Sequence, residues 1–315
     1  MLSRVAEAIY WMARYVERAE NIARFLDVTL SLSLDTPEEA RIGHWHALVS
    51  TSGDEEWFAQ QYGNANQDTV LRFLTSDRAY ASSLISSVAQ ARENARSVRE
   101  VLSREQWECL NHFYHMVQHH QPTGDDLEAL AGFYATVRRQ AALFHGMSDH
   151  VWSHDEGWQF LRLGTSIERA DKTSRILDVK YYLLSSGSPV AGAAFNLVQW
   201  SALLSSASAD QSYRQRYHET TPDHVIDFLV FDAHFPRSIR HCVDTADHAL
   251  HTISGTPIGS GSLHSERLLG RLRAQLAYGN AGEVHARGLH DYLDDVQGEL
   301  NGVSSAVIDD FFRHR

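Results

Sequence analysis

Residues 17–28 read ERAENIARFLDV, and a closely similar stretch, ERADKTSRILDV, occupies residues 168–179. Both stretches begin with a Glu-Arg pair and end in Leu-Asp-Val. Around the first copy, apolar residues recur every three or four positions from Val5 to Leu30, which predicts one long amphipathic helix from Ser3 to about Leu32. We therefore expect each copy of the motif to lie on a helix.

Further matches follow the two motifs in the same order. Residues 68–83 share Asp, Val, Phe, Leu and Ser positions with residues 223–238 at a constant offset of 155. Such ordered matches indicate an ancient internal duplication. We expect an all-α fold, a multi-helix bundle made of two tandem pseudo-equivalent halves, residues 1–150 and 151–315, packed together as one domain.

Several helix starts can be predicted from local chemistry. Thr36-Pro37-Glu38 and Thr221-Pro222-Asp223 each combine a capping hydroxyl, a proline suited to the first helical position and an acid suited to the positive end of the helix dipole. Ser103 followed by Gln106 resembles a capping box. Pro236 is expected to open another helix. No stretch alternates as a strand would.

Composition excludes some functions. The chain has 40 acidic against 28 basic residues and a formal charge of −12, which gives no general support for binding nucleic acid or anionic lipid. Charged residues interrupt the apolar positions near the N-terminus, unlike a signal peptide, and no stretch is apolar enough to span a bilayer. Cys109 and Cys242 are expected to be buried free thiols. We expect a cytoplasmic protein with no nucleic-acid or membrane partner.

The charged residues of each motif lie close together on a helical wheel, at the edge of the apolar stripe. The candidate substrate- or partner-binding residues are Glu17, Arg18, Glu20, Arg24, Asp27, Glu168, Arg169, Asp171, Arg175 and Asp178.

Charges that are partly removed from water need partners, and two interpretations supply them. In the first, the two motif helices share an ion-pair lattice in which Arg24 and Arg175 bridge acids from both copies. In the second, the same charges form a site for a cation, a substrate amine or a basic group of a partner. Both interpretations bring the two motifs together at a pseudo-dyad.

Metal binding has weaker support. The carboxylates at i and i+3 in each motif resemble half of a dinuclear site in a helical bundle, but the usual Glu-x-x-His pairs are absent, and no metal site is expected there. Zinc binding by histidines at helical spacing stays open, although such residues are more often surface or boundary residues. The two histidine sets are His112, His115 and His119, and His241, His248 and His251.

The sequence contains no self-contained catalytic motif. It has no Gly-x-x-x-x-Gly-Lys phosphate loop, no Gly-x-Ser-x-Gly elbow and no Cys-x-x-Cys pair. We therefore assign no catalytic residue and expect no cofactor in this chain.

The opening of the chain and the second motif together resemble the bacterial alpha-E family, a helical domain named for its Glu-Arg motif. The resemblance extends over essentially the whole chain. It is carried by residues 1–7, 10–21, 91–96, 167–171, 235–238 and 268–273.

The resemblance implies association with circularly permuted ATP-grasp proteins, often alongside transglutaminase-like and proteasome-like hydrolases, in systems that make or modify peptides. ATP-grasp enzymes join carboxylates to amines through acyl phosphates, so ATP and magnesium are expected on that partner ligase. This chain would then be an accessory or substrate-binding subunit of a peptide or amide ligase, without activity alone. The alternative is an independent enzyme, or a small-ligand or cation-binding protein that uses the duplicated Glu-Arg centre.

Overall fold

The computed structural model describes the protein as a bundle of helices. It describes the backbone of residues 1–34, 38–119, 126–185 and 193–313. Side chains are described for residues 1–32, 42–119, 126–178, 197 and 199–313. Within these residues the regular structure consists of α-helices and three short π-helical turns, with no strand. The predicted all-α fold class is confirmed.

The helices of the first part of the chain include two very long ones. In the described residues they are α1 (Ser3–Leu34), α2 (Glu38–Ser52), α3 (Glu55–Tyr62), α4 (Gln67–Leu71), the π-helical turn π1 (Arg72–Ser76), α5 (Leu84–Ser97), α6 (Arg104–His119) and α7 (Leu127–Val151).

The second part begins with another long helix. Its described elements are α8 (Glu156–Ser185), α9 (Ala193–Ser206), α10 (Asp210–Arg216), α11 (Pro222–Ile226), π2 (Asp227–Phe231), α12 (Ile239–Ser254), α13 (His264–Tyr278), α14 (Ala281–Arg287), α15 (Leu289–Val307) and π3 (Ile308–Phe312).

Most of the predicted helix starts are found. The capping box before α6 is complete. The backbone N–H of Gln106 donates to Ser103 Oγ at 3.1 Å, and the backbone N–H of Ser103 donates to Gln106 Oε1 at 3.0 Å. Thr221 caps α11, whose first residue is Pro222. The prediction for residues 36–37 lies outside the described residues.

The prediction that Pro236 opens a helix is wrong. Helix α12 begins at Ile239, and Ser238 is its cap, accepting a hydrogen bond from the His241 amide at 3.1 Å. The Ser238 side chain satisfies a free amide of the first turn, which a proline ring cannot do.

The order of elements in the second part follows that in the first. Residues 72–76 and 227–231, which are 155 positions apart, both form π-helical turns. Ser83 and Ser238, at the same offset, cap the helices that follow. Superposition of the two halves stays a prediction.

Helices α1 and α8 pack side by side at the centre of the bundle. Their contacts occur in the same order along both helices: the Met1 amino group lies 2.6 Å from Glu156 Oε2, Tyr10 lies against Gly164, and Arg14 pairs with Glu168. The two helices are therefore parallel. Helices α5 and α7 pack on α1, while α12 and α15 pack on α8.

Neither a bilayer span nor a disulfide is found in the described part of the chain. None of its helices combines the length and the apolar character that crossing a bilayer requires. Cys109 and Cys242 are both buried and free, as predicted.

Candidate functional site

Glu17, on α1, is completely buried and is held from the other motif helix. Arg169, on α8, donates from Nε to Glu17 Oε1 at 3.0 Å and from Nη2 to Oε2 at 2.7 Å, which is a bidentate pair. Arg237 donates to Oε1 at 3.0 Å, and Asn21 donates to the same oxygen at 2.9 Å. Two guanidinium groups therefore face one buried carboxylate.

Glu168, on α8, is held in the same way from α1 and is equally buried. Arg18 donates from Nε to Oε1 at 2.7 Å and from Nη2 to Oε2 at 3.1 Å, and Arg14 donates from Nε to Oε2 at 2.8 Å. The Lys172 ammonium lies 3.6 Å from Oε1. Each motif glutamate is thus bound by the arginine that follows the other motif glutamate.

The two Glu-Arg motifs do come together, but the predicted bridging arginines are wrong. Arg24 pairs with Glu20, at 2.5 Å, and Arg175 pairs with Asp171, at 3.0 Å, each within its own helix. The reason is the spacing of four residues, which places each pair on adjacent turns of one helix. Arg18 and Arg169, at the contact between the helices, make the cross-links instead.

Arg24 and Arg175 still reach the other half through their Nη1 atoms. Arg24 donates to Ser208 Oγ at 2.5 Å, and Arg175 donates to the Thr51 carbonyl at 2.8 Å. Ser208 and Gly53, which are 155 positions apart, both have positive φ, 51° and 80°. The two arginines therefore contact corresponding bends of the chain.

Asp27 and Asp178 do not join this centre. Asp27 pairs with Arg138 of α7 at 2.8 Å, and Asp178 contacts His290 Nδ1 of α15 at 2.8 Å. These two acids anchor outer helices to α1 and α8. We define the charged centre as four carboxylates and seven cations: Glu17, Glu20, Glu168, Asp171, Arg14, Arg18, Arg24, Arg169, Arg175, Arg237 and Lys172.

The charged centre keeps its carboxylates ionised. Burial opposes ionisation of Glu17, but Arg169 and Arg237 outweigh it and hold its pKa well below the ordinary value. For Glu168, burial is likewise outweighed by Arg18 and Arg14, which also hold its pKa well below the ordinary value. The centre can therefore be described as a set of charged pairs in the folded protein.

One group of possible metal ligands occurs among the described residues. Glu17, Glu20 and His145, on α7, each bring one ligand atom to within 4.8 Å of the others. Arg169 and Arg237 already bind both Glu17 oxygens, so a cation would have to displace arginines. Neither histidine set named from the sequence converges in this way: His241 and His251, for example, bond instead to Ala233 and Thr256. A metal ion there would therefore compete with Arg169 and Arg237 for Glu17.

A cleft lies beside the charged centre, between α7, α8 and α12. Its volume is about 490 Å³, within the range of small-molecule sites. A second hollow of about 450 Å³ shares Arg162, Thr245 and His241 with it. Arg169, which binds Glu17, lines the cleft, so the centre and the cleft are continuous.

Comparison with known families finds one whose description names an ER motif. The Alpha-E family, described as a predicted alpha-helical domain with a conserved ER motif, matches residues 1–312. The chain belongs to the Alpha-E family. In this Alpha-E domain, the ER pairs at residues 17–18 and 168–169 lock α1 to α8.

The Alpha-E domain also matches longer proteins. It is 27% identical to an uncharacterized protein of Mycobacterium bovis and, equally, to uncharacterized proteins of two strains of Mycobacterium tuberculosis. Each match covers 97% of this chain but 36% of the relative. The chain therefore spans about a third of the length of these relatives. No solved structure matches it.

Sequence reasoning missed Arg14, Lys172 and Arg237 of the charged centre, and His145 beside it. Arg14 precedes Glu17 by three positions and lies on the same helical face, so periodicity could have identified it. Arg237 lies in a segment that carried the family resemblance, but nothing in its spacing indicates that it reaches Glu17. His145 has no signal in the sequence, because only the packing of α7 on α1 brings it near.

Proposed function

We propose that this Alpha-E domain is an accessory or substrate-binding subunit of a cytoplasmic peptide or amide ligase system whose ATP-grasp partner binds ATP and magnesium. In this proposal the partner forms the acyl phosphate, and the Alpha-E domain binds the molecule to be joined or modified. Transglutaminase-like and proteasome-like hydrolases act in the same system.

The observation that carries the proposal is the ligand-sized cleft beside the charged centre. The centre satisfies its own charges across α1 and α8, so its first task is to hold the two halves together and form one wall of the cleft. A preformed cleft with polar groups on a rigid scaffold suits substrate binding. An accessory subunit binds the substrate while its partner binds the nucleotide, which fits a chain that has no phosphate-binding loop of its own.

The relatives support a role in combination with another protein region. This chain matches 36% of their length, so the Alpha-E region is there one part of a longer chain. An Alpha-E domain acting with an ATP-grasp partner would be a comparable combination.

The test is co-purification followed by ADP release. The Alpha-E protein and an ATP-grasp protein of the same genome are assayed alone and together, across single amino acids and dipeptides. We expect the two to co-purify and ADP release to rise at least about tenfold in the mixture, since positioning a reactant lowers the barrier by several kcal/mol. Separate elution together with unchanged ADP release would contradict the proposal.

A second candidate is cation binding at Glu17, Glu20 and His145. It is favoured by Glu20 Oε2, which is buried and has no hydrogen-bond partner among the described residues, and by His145 Nε2, which lies 3.3 Å from Glu17 Oε2 and 4.0 Å from Glu20 Oε2. Titration with Zn²⁺ and Mn²⁺ tests it: saturable binding that is lost in His145→Gln would support this function. Equal binding by that variant would exclude it.

A further inference from the structure

We propose that the cleft between α7, α8 and α12 binds the carboxylate group of a small organic molecule, with Arg162 as the principal cationic contact. The role of that molecule as a ligase substrate rests on the proposed function. The binding itself requires no partner and is tested without one.

The charge of the neighbouring centre favours an anion. Its seven cationic side chains exceed its four carboxylates by three, although the chain as a whole carries a charge of −12. A buried excess of positive charge is costly unless an anion approaches it. Arg169 brings that excess to the wall of the cleft.

Arg162 lines the cleft and makes no close ion pair within the described part of the chain. Its guanidinium is partly buried, stacks over Trp158 at 4.7 Å and forms no ion pair with the described residues. Of the acids that line the hollows, Asp244 lies 2.9 Å from Arg273, and the exposed Asp149 attracts Arg162 without forming an ion pair with it. Arg162 is therefore available to a ligand.

Thr165 provides an independent observation. It is only 7% exposed, its Oγ1 has no hydrogen-bond partner among the described residues, and it lines the cleft. Arg162, Thr165, Ser166 and Arg169 follow one another at three- and four-residue spacing, so they share one face of α8. Buried polar groups without partners are rare in native proteins, and a bound carboxylate would accept a hydrogen bond from the Thr165 hydroxyl.

The walls of the cleft favour an organic ligand over an inorganic ion. Trp158, Leu161 and Pro236 line it together with the polar face of α8. His241 also lines it and contacts the Ala233 carbonyl through Nδ1, and no described residue bonds to its Nε2. A volume of about 490 Å³ exceeds what a single inorganic anion fills.

The test is calorimetric titration of the whole 315-residue chain without any partner. The probes are dipeptides with a free C-terminus, the same dipeptides as C-terminal amides, acetate and inorganic phosphate. We expect the free dipeptides to bind and the amides to bind at least about tenfold more weakly, because charge-assisted hydrogen bonds to arginine are lost.

Two substitutions locate the site. Arg162→Gln should weaken dipeptide binding at least about tenfold, whereas the matched control Arg104→Gln, at an exposed arginine of α6, should not. Thr165→Val should also weaken binding while the melting temperature stays the same or rises, since the hydroxyl has no partner in the free protein. Thr165→Val keeps the test informative if Arg162→Gln does not fold.

Each outcome decides the inference. No binding of any probe, equal binding of free and amidated dipeptides, tighter binding of phosphate, or full binding by both cleft variants overturns it. Carboxylate binding without stimulation of the ATP-grasp partner would overturn the proposed function alone. Stimulation of the partner without carboxylate binding would overturn this inference alone.

Discussion

Arg18 and Arg169 show how a short charged motif becomes a structural element. Each arginine follows its own glutamate in sequence but binds the glutamate of the other motif with two parallel hydrogen bonds. The planar guanidinium matches the carboxylate in this geometry, and lysine could not replace it. The Glu-Arg pair is therefore a reciprocal clasp between two helices.

At this scale we predict that Arg169→Met destabilises the fold by about 3–5 kcal/mol, the usual scale for removing one partner of a buried pair. Glu17 is fully buried, and after the substitution Arg237 is the one arginine that still binds it among the described residues. Urea unfolding measures the free energy. Arg104→Met is the control: its pair with Glu108 is exposed, so stability should be nearly unchanged. Equal effects of the two substitutions would contradict a structural role for the clasp.

At the scale of helices, the packing of α1 against α8 depends on one glycine. A Cβ atom placed on Gly164 would lie 2.5 Å from the Tyr10 carbonyl oxygen, well inside the van der Waals contact distance. The two backbones therefore meet at this position. The close approach brings Glu17 and Glu168 within reach of arginines on the opposite helix.

We predict that Gly164→Ala destabilises the protein by about 1–3 kcal/mol, because overpacking at a backbone contact forces the helices apart. Gly270→Ala on α13 is the matched control, since no atom lies within 4 Å of a Cβ placed there. Alanine in a helix interior with free space gains about 0.5–1 kcal/mol over glycine. Thermal unfolding of both variants measures the effect. A stabilised Gly164→Ala variant would show that the α1 and α8 backbones leave room for a Cβ atom at this position.

At the scale of the whole molecule, the two halves supply each other's counter-charges. Glu17 is bound by arginines of the second half, and Glu168 by arginines of the first. A half on its own would expose the α1 or α8 core face and leave a buried carboxylate without a partner. The halves are thus expected to depend on one another for folding.

We predict that fragments divided between Ser153 and His154, where α7 and α8 are not continuous, fail to fold separately and assemble when co-expressed. Circular dichroism and analytical ultracentrifugation would follow each fragment and the mixture. A first fragment that unfolds cooperatively by itself would show that the halves are independent domains.

The charged centre also predicts a pH dependence of stability. Because the pKa of Glu17 is lower in the folded than in the unfolded protein, the unfolded chain takes up the proton first as pH falls. The contribution of the ionised Glu17 carboxylate to the free energy of unfolding is therefore complete above the unfolded pKa of about 4.3. This contribution is lost as the pH falls below that value. The difference in unfolding free energy between the wild type and Glu17→Gln should be largest near pH 7 and shrink below about pH 4.3.

Urea unfolding at a series of pH values measures this difference. The comparison with Glu17→Gln removes the contribution of acids such as Asp178 and Asp247, whose pKa values burial raises and which act in the opposite sense. Glu108→Gln, at an exposed pair, is the control and should show no such trend. A difference that grows toward acid pH would contradict the assignment.

Periodicity and local chemistry in the sequence determined the helical class, the extent of α1 and the caps of α6 and α11. These features depend on residues three or four positions apart, so they are encoded locally. The recurrence of the motif also predicted that two charged helices meet. The family resemblance agreed with the match over residues 1–312.

Only the tertiary structure decided which arginine binds which glutamate. On one helix Arg24 and Arg18 are equally plausible partners for a distant acid, and the choice depends on the parallel packing of α1 on α8 at Gly164. Arg237 and His145 enter the site from other helices by contacts far apart in sequence. The cleft exists only where α7, α8 and α12 enclose it, because a cavity is a property of packing between elements and has no local sequence pattern.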